Sequence, residues 1–125
     1  MPRFDHNDIS MFYKTKGEGN PVLLIHGLGG DHRGWDFQEE ALASRFHLIM
    51  PDLRGHGQTT VIELGMMIPP DMVADDLNSL LKHLGLEKVH VVGISLGGLV
   101  AQTFVLRYPE RVDKLVLIDT TPKIT

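Results

Sequence analysis

Short apolar runs, each followed within two residues by a glycine or an aspartate, recur along the chain and predict buried strands. The runs are 22–25, 46–50, 89–92 and 115–118. Because apolar residues follow one another without alternation, each strand is expected to be buried on both faces, as in a parallel sheet. An earlier segment, 9–15, alternates apolar and polar residues before Gly17 and Gly19, which predicts a strand followed by a turn.

Helical periodicity separates the runs. Over residues 71–84 the apolar side chains fall on one face of a helix, with Pro70 suited to its first turn and Gly85 to its end. A second helix is predicted over 96–107, ending before Pro109, and a shorter one over 35–44. Strand and helix alternation predicts an α/β fold: one domain over 1–125 with a parallel-rich open sheet and crossover helices.

Residues 58–69 fit neither period and are expected to form a partly apolar loop. Two interpretations stay open. The loop packs onto the helix that follows, or Met66 and Met67 line a substrate entrance, since methionine side chains are soft and adaptable.

Composition and charge exclude several classes of protein. The 125 residues carry a net charge of −4, which gives no electrostatic reason to bind nucleic acid or an anionic membrane. The chain has no cysteine, so disulfides, thiolate zinc sites and a cysteine nucleophile are excluded. No apolar run resembles a signal sequence or reaches the length of a spanning helix, so a cytoplasmic location is expected.

The segment G-I-S-L-G, residues 93–97, carries the strongest chemical signal. It lies between a predicted buried strand and a predicted helix, so a sharp turn would expose the hydroxyl of Ser95 at the edge of the sheet. Gly93 and Gly97 are expected where side chains would crowd that turn. The sequence therefore predicts Ser95 as a nucleophile of acyl transfer, the alternative being a glycine-rich turn with an incidental serine.

A second glycine-rich segment, H-G-L-G-G at 26–30, follows the first apolar run. Acyl transfer places negative charge on the former carbonyl oxygen, and two backbone N–H groups aimed at that oxygen would stabilise it. The donors implied are the amides of Leu28 and Leu96, with His26 and Gly27 as the supporting motif. His26 is expected to brace the turn through backbone contacts rather than to act as a base.

With a third segment, P-D-L-R-G-H-G at 51–57, the chain resembles the α/β-hydrolase fold family. The three motifs occur in that family's order, and the resemblance covers the chain from about residue 9 to 122. The resemblance implies a serine hydrolase that acts on a carboxylic ester, a lactone or a related carbonyl compound through an acyl-enzyme on Ser95, without metal or cofactor. The stretch 107–124 also resembles 3-oxoadipate enol-lactonases and related carbon–carbon bond hydrolases.

The sequence departs from the family after Ser95. The family's triad runs serine, acid, histidine, but all seven histidines here precede Ser95. Asp119 is a candidate acid, or else a residue that caps a strand end, and His56 is expected to brace its own turn. This chain alone is therefore expected to be catalytically impaired.

The resemblance also implies a truncated core that lacks the family's last strands and cap. The predicted strand 115–118 would then be an edge strand with unpaired backbone groups. We expect the chain to form a homo-oligomer or to pair along this edge with a missing C-terminal segment. The alternative function is a non-catalytic fragment or binding subunit that needs a second segment to complete the fold.

Overall fold

A twisted sheet with helices on both faces forms the framework of the molecule. The computed structural model describes residues 2–6, 9–27, 30–54, 56–57, 60–61 and 70–118. The strands are β1 (Arg3–His6), β2 (Ile9–Lys16), β3 (Asn20–Ile25), β4 (Phe46–Pro51), β5 (Thr60–Val61), β6 (Val89–Ile94) and β7 (Val112–Ile118). The α-helices are α1 (Asp36–Ala43), α2 (Pro70–His83) and α3 (Leu96–Arg107), and 3₁₀ helices span His32–Trp35 and Pro109–Arg111.

The strands follow the order β1-β2-β4-β3-β6-β7, and β5 pairs with β2. Strands β4, β3, β6 and β7 are parallel, whereas β1, β2, β4 and β5 meet in antiparallel pairs. The predicted α/β class with a parallel-rich sheet is thereby confirmed. None of the described helices has the length and hydropathy needed to cross a membrane.

Each strand and helix predicted from the pattern is present, with small shifts at its ends. Helix α3 has the predicted bounds, and α2 begins and ends one residue earlier than expected. Strands β1 and β5 were not predicted. Strand β5 falls within the segment expected to be a loop; Met66 and Met67 lie outside the described residues, so their place at an entrance stays a prediction.

Apolar side chains cover both faces of the central strands, as the continuous runs predicted. Leu23 and Ile25 of β3 point into a core shared with α2 and α3. Their neighbours Val22 and Leu24 point to the opposite face, where they pack in a cluster with Trp35. This two-sided burial fixes the position of β3 and of the loop that follows it.

Strand β7 lies at the edge of the described sheet, as the truncated core implied, so its run is not buried on both faces as its pattern alone predicted. Leu115, Val116, Leu117 and Ile118 are 36%, 50%, 39% and 37% exposed. Within the part of the chain that the structure describes, β7 pairs with β6 alone and ends the strand order. The apolar residues of this strand therefore lie at a partly uncovered edge.

Candidate active site

Ser95 occupies a strained turn between β6 and α3. Its backbone has φ 56° and ψ −118°, and it is the one non-glycine residue with positive φ among those described. Such a conformation costs on the order of 1–3 kcal/mol for a residue with a side chain, and it persists where the flanking structure is fixed. The strand on one side and the helix on the other supply that constraint and leave Ser95 exposed.

Close backbone packing explains the glycines on either side of Ser95. A Cβ atom on Gly97 would overlap the carbonyl oxygens of Ile25 and His26, and one on Gly93 would overlap the carbonyl oxygen of Gly97. Helix α3 therefore begins in direct contact with the end of β3. This contact brings the turn of Ser95 beside the glycine-rich loop that follows β3.

The first turn of α3 supplies backbone N–H groups near Ser95. The carbonyl oxygen of Ser95 accepts hydrogen bonds from the amides of Gly98 (2.9 Å) and Leu99 (3.3 Å). The amides of Leu96 and Gly97 begin the helix, so neither has an acceptor within it, and this helix end favours negative charge. Leu28, the other predicted donor, lies outside the described residues.

Gly27 lies directly over Ser95. A Cβ atom at position 27 would be 3.3 Å from the Cβ of Ser95 and 3.8 Å from its Oγ. The absence of a side chain at Gly27 thus keeps the space above the serine hydroxyl open. The structure brings the two glycine-rich motifs together, as their positions in the sequence implied.

Both ring nitrogens of His26 are engaged by backbone groups. Nε2 accepts a hydrogen bond from the N–H of Leu53 (3.0 Å), and Nδ1 lies 2.7 Å from the carbonyl oxygen of Gly27. A carbonyl oxygen only accepts, so Nδ1 carries the proton and donates it. Burial lowers the pKa of His26 below its usual value, and the nearby His56 adds to that effect. His26 is therefore a neutral residue that links two loops.

The loop after β4 is held by contacts of its own. Nδ1 of His56 donates to the carbonyl oxygen of Arg54 (3.1 Å), and the His56 ring lies 5.1 Å from that of His26, centroid to centroid. The buried guanidinium of Arg54 donates two hydrogen bonds to the buried carboxylate of Asp76 on α2, at 3.0 and 2.9 Å. The P-D-L-R-G-H-G segment is thus fixed to both His26 and α2.

A buried contact between His32 and Asp52 was not predicted. The backbone N–H and Nδ1 of His32 both lie within hydrogen-bond distance of Oδ1 of Asp52, at 2.8 and 2.7 Å. Asp31 lies close by. One carboxylate oxygen each from Asp31 and Asp52 and one ring nitrogen of His32, atoms of the kind that bind metal ions, lie within 4.8 Å of one another. Within this group, His32 is hydrogen-bonded to Asp52, and Asp31 forms an ion pair with Arg33.

A cavity of about 440 Å³ opens beside Ser95. Its described walls combine apolar side chains, glycine backbone and few polar groups: His26, Gly27, Gly30, Asp31, Gly34, Trp35, Gln38, Ile94, Ser95 and Ile118. Sequence reasoning missed Asp31, Trp35 and Gln38 as wall residues. The one available signal was their position directly after the H-G-L-G-G loop.

The predicted acid of the triad stays a prediction. Asp119 lies outside the described residues. Among the histidines whose side chains the structure describes, His26 lines the cavity, and both of its ring nitrogens are used. The candidate site thus combines an exposed serine, a helix N-terminus and a cavity.

Comparisons with known proteins agree with the α/β fold described above. The family model described as "alpha/beta hydrolase fold" matches residues 20–125. A thermophilic esterase from Thermogutta terrifontis superposes with a TM-score of 0.93 at 36% identity, covering 100% of this chain and 48% of that one.

Curated relatives show the same similarity. A putative carbamate hydrolase RutD of Agrobacterium fabrum is 38% identical over 114 residues, which are 88% of this chain and 42% of the relative. An uncharacterised protein of Mycobacterium tuberculosis is 39% identical over 106 residues, 85% of this chain and 30% of that protein. The chain therefore spans less than half the length of these relatives.

Proposed function

The chain belongs to the alpha/beta hydrolase fold family, and on that premise we propose that it carries the nucleophile and oxyanion hole of a serine hydrolase. The observation that supports this most strongly is the backbone of Ser95. A positive φ at a residue with a side chain, between a buried parallel strand and a helix N-terminus, exposes the hydroxyl beside a cavity. A glycine-rich turn without a chemical role would gain nothing from a strained serine.

The proposed reaction is acyl transfer. Oγ of Ser95 attacks the carbonyl carbon of the substrate while its proton passes to a base, and the carbonyl oxygen becomes an oxyanion. The amides of Leu96 and Leu28 donate to that oxyanion. The C–O bond to the leaving group then breaks, the protonated base returns its proton to the leaving group, and water releases the acyl group from Ser95. These steps need no metal or organic cofactor.

The substrate class is a carboxylic ester, a lactone or a related carbonyl compound. The relative from Thermogutta terrifontis is named an esterase and that from Agrobacterium fabrum a putative carbamate hydrolase, which supports this class. The walls of the cavity are largely apolar, which suits an acyl group of modest size.

We propose that the base and the acid come from outside the described residues, in a further segment or a second chain. His26 lines the cavity, but its Nδ1 donates to Gly27 and its Nε2 accepts from Leu53, so it has no free lone pair. The same observation favours the alternative, a binding subunit without its own chemistry. The two functions differ in whether Ser95 forms a covalent bond with a substrate.

Acylation in the presence of imidazole tests the proposal. Turnover by this chain is uninformative, because without a histidine that acts as its base the serine itself contributes little to the residual rate. Added imidazole can take the place of the missing base. We expect p-nitrophenyl acetate with imidazole to acetylate Ser95, as mapped by peptide mass spectrometry, with rates that rise with imidazole concentration. Ser95→Ala should lose the modified peptide and Ser44→Ala should keep it; acetylation indifferent to Ser95 would refute the proposal.

A further inference from the structure

Asp31 places a fixed negative charge in the wall of the cavity that holds Ser95. It precedes the 3₁₀ helix His32–Trp35, and its Oδ1 accepts a hydrogen bond from the backbone N–H of Arg33 (2.9 Å). The guanidinium of Arg33 donates to both carboxylate oxygens, from Nε to Oδ1 at 3.1 Å and from Nη2 to Oδ2 at 2.6 Å. These bonds hold the carboxylate in one orientation.

The two partners of this ion pair face different surroundings. The side chain of Asp31 is 14% exposed, and that of Arg33 is 73% exposed. Asp31 is a wall residue of the cavity, whereas Arg33 does not contribute to the walls that the structure describes. A ligand in the cavity would therefore lie next to the carboxylate of Asp31, while the guanidinium of Arg33 is mostly exposed to solvent.

No other described wall residue balances this charge. Hydrogen bonds from Arg33 lower the pKa of Asp31 to about 2, so it is ionised at any working pH. His26 is neutral, Gln38 is uncharged, and Trp35, Ile94 and Ile118 are apolar. Within the described residues, the cavity is an apolar space with one anionic group.

We propose that Asp31 determines the charge selectivity of this site, so that it accepts uncharged acyl or leaving groups and rejects carboxylate-bearing ones. This inference rests on the proposed function, because it concerns which substrates the proposed hydrolase accepts. A cavity of this volume is roughly 9 Å across. A second carboxylate in it would therefore lie within about one Debye length of Asp31, which is about 8 Å at physiological salt, and would be repelled by it.

The fluorescence of Trp35 can be used to measure binding in this cavity. Trp35 is the chain's single tryptophan, is buried, and lines the same cavity as Asp31. Quenching of Trp35 fluorescence therefore reports binding at this place. Phenylacetamide and phenylacetate are suitable probes, because they share shape and size and differ in charge.

We expect phenylacetamide to bind more tightly than phenylacetate, on the order of fivefold at low salt, with a smaller ratio at high salt. Asp31→Asn should bring the ratio close to one, since asparagine keeps an oxygen to accept the Arg33 N–H and loses the charge. Arg33→Gln should widen the ratio, because it removes the compensating cation.

Asp36→Asn is the matched control. Asp36 is an exposed residue at the start of α1, outside the described walls, and its substitution changes the net charge by the same amount. It should leave the ratio unchanged. The inference would be overturned by any of three results. The ratio could be unaltered in Asp31→Asn, it could change equally in Asp31→Asn and Asp36→Asn, or neither probe could quench the fluorescence of Trp35. Because binding needs no covalent step, a failure of Ser95 to acylate would leave this result standing.

Discussion

The backbone N–H of Ser95 donates a 3.0 Å hydrogen bond to the carbonyl oxygen of Ile118. Ser95 follows β6 and Ile118 is the last residue of β7, so this bond fixes the turn of the serine to the neighbouring strand. It also occupies the amide of Ser95, so the amides at the start of α3 that lack an acceptor within the helix are those of Leu96 and Gly97. The exposed edge strand β7 therefore helps to hold the site in place.

The exposed edge of β7 should make the chain self-associate. Leu115, Val116, Leu117 and Ile118 are 36–50% exposed on a strand that ends the described sheet, and such edges pair readily with a second chain. We expect size-exclusion chromatography with light scattering to show a mass that rises with concentration, and Val116→Lys to reduce it. Leu106→Lys, which replaces an exposed leucine of α3, should have no such effect. A concentration-independent monomer would contradict this prediction.

Gly97→Ala should weaken both the fold and the site. The added methyl group would overlap the carbonyl oxygens of Ile25 and His26, which belong to backbone and cannot rotate away. We expect a loss of stability at the upper end of the about 1–3 kcal/mol that overpacking costs, measured by urea unfolding. Gly34→Ala is the control, because nothing lies within 4 Å of its added Cβ. Equal stabilities of the two variants would show that α3 does not start in contact with β3.

Strain at Ser95 predicts that glycine is more stable than alanine at this position. Both variants lack the hydroxyl, but alanine must keep a positive φ that glycine adopts freely. The relieved strain of about 1–3 kcal/mol exceeds the entropic cost of glycine, which is about 0.5–1 kcal/mol. Ser95→Gly should therefore unfold at higher urea concentration than Ser95→Ala. The reverse order would mean that the turn is not strained.

The sequence predicts the framework of this site better than its walls. The largely apolar runs that became β3, β4 and β6 are core strands with long-range contacts, and their burial on two faces leaves a clear pattern. Among its described side chains, strand β1 places Phe4 in the core, and β5 has two residues, so neither pattern can be told from that of a loop. Strand β7 has the pattern of a buried strand but is half-exposed here, because its pattern does not say which neighbours are present.

The residues around Ser95 are likewise of two kinds: those that the local sequence predicts, and those that depend on the arrangement of the strands. The glycines could be predicted because the turn itself needs them. Asp31, Trp35 and the pair of His32 with Asp52 depend on which loops the strand order brings together. That order, with β3 between β4 and β6, is not a local property of the chain.

Acid should destabilise the chain partly through His26. Burial lowers its pKa in the folded state below the ordinary value of 6.5, so the unfolded chain binds this proton more tightly than the folded one. The contribution of His26 to stability is therefore complete above pH 6.5 and decreases as the pH falls through that value toward the lowered folded pKa. Urea unfolding above and below this pH should show a steeper loss in the wild type than in His26→Gln. Identical pH dependence in both would contradict a neutral, buried His26.

Covalent capture of Ser95 tests directly whether its hydroxyl is a nucleophile. The chain is treated with a fluorophosphonate probe in the presence of imidazole, and the modified residue is identified by peptide mass spectrometry. We predict that the label lies on Ser95, and that Ser95→Ala abolishes it while Ser44→Ala does not. A label spread over Ser10, Ser44 and Ser79, or none on Ser95, would contradict the account.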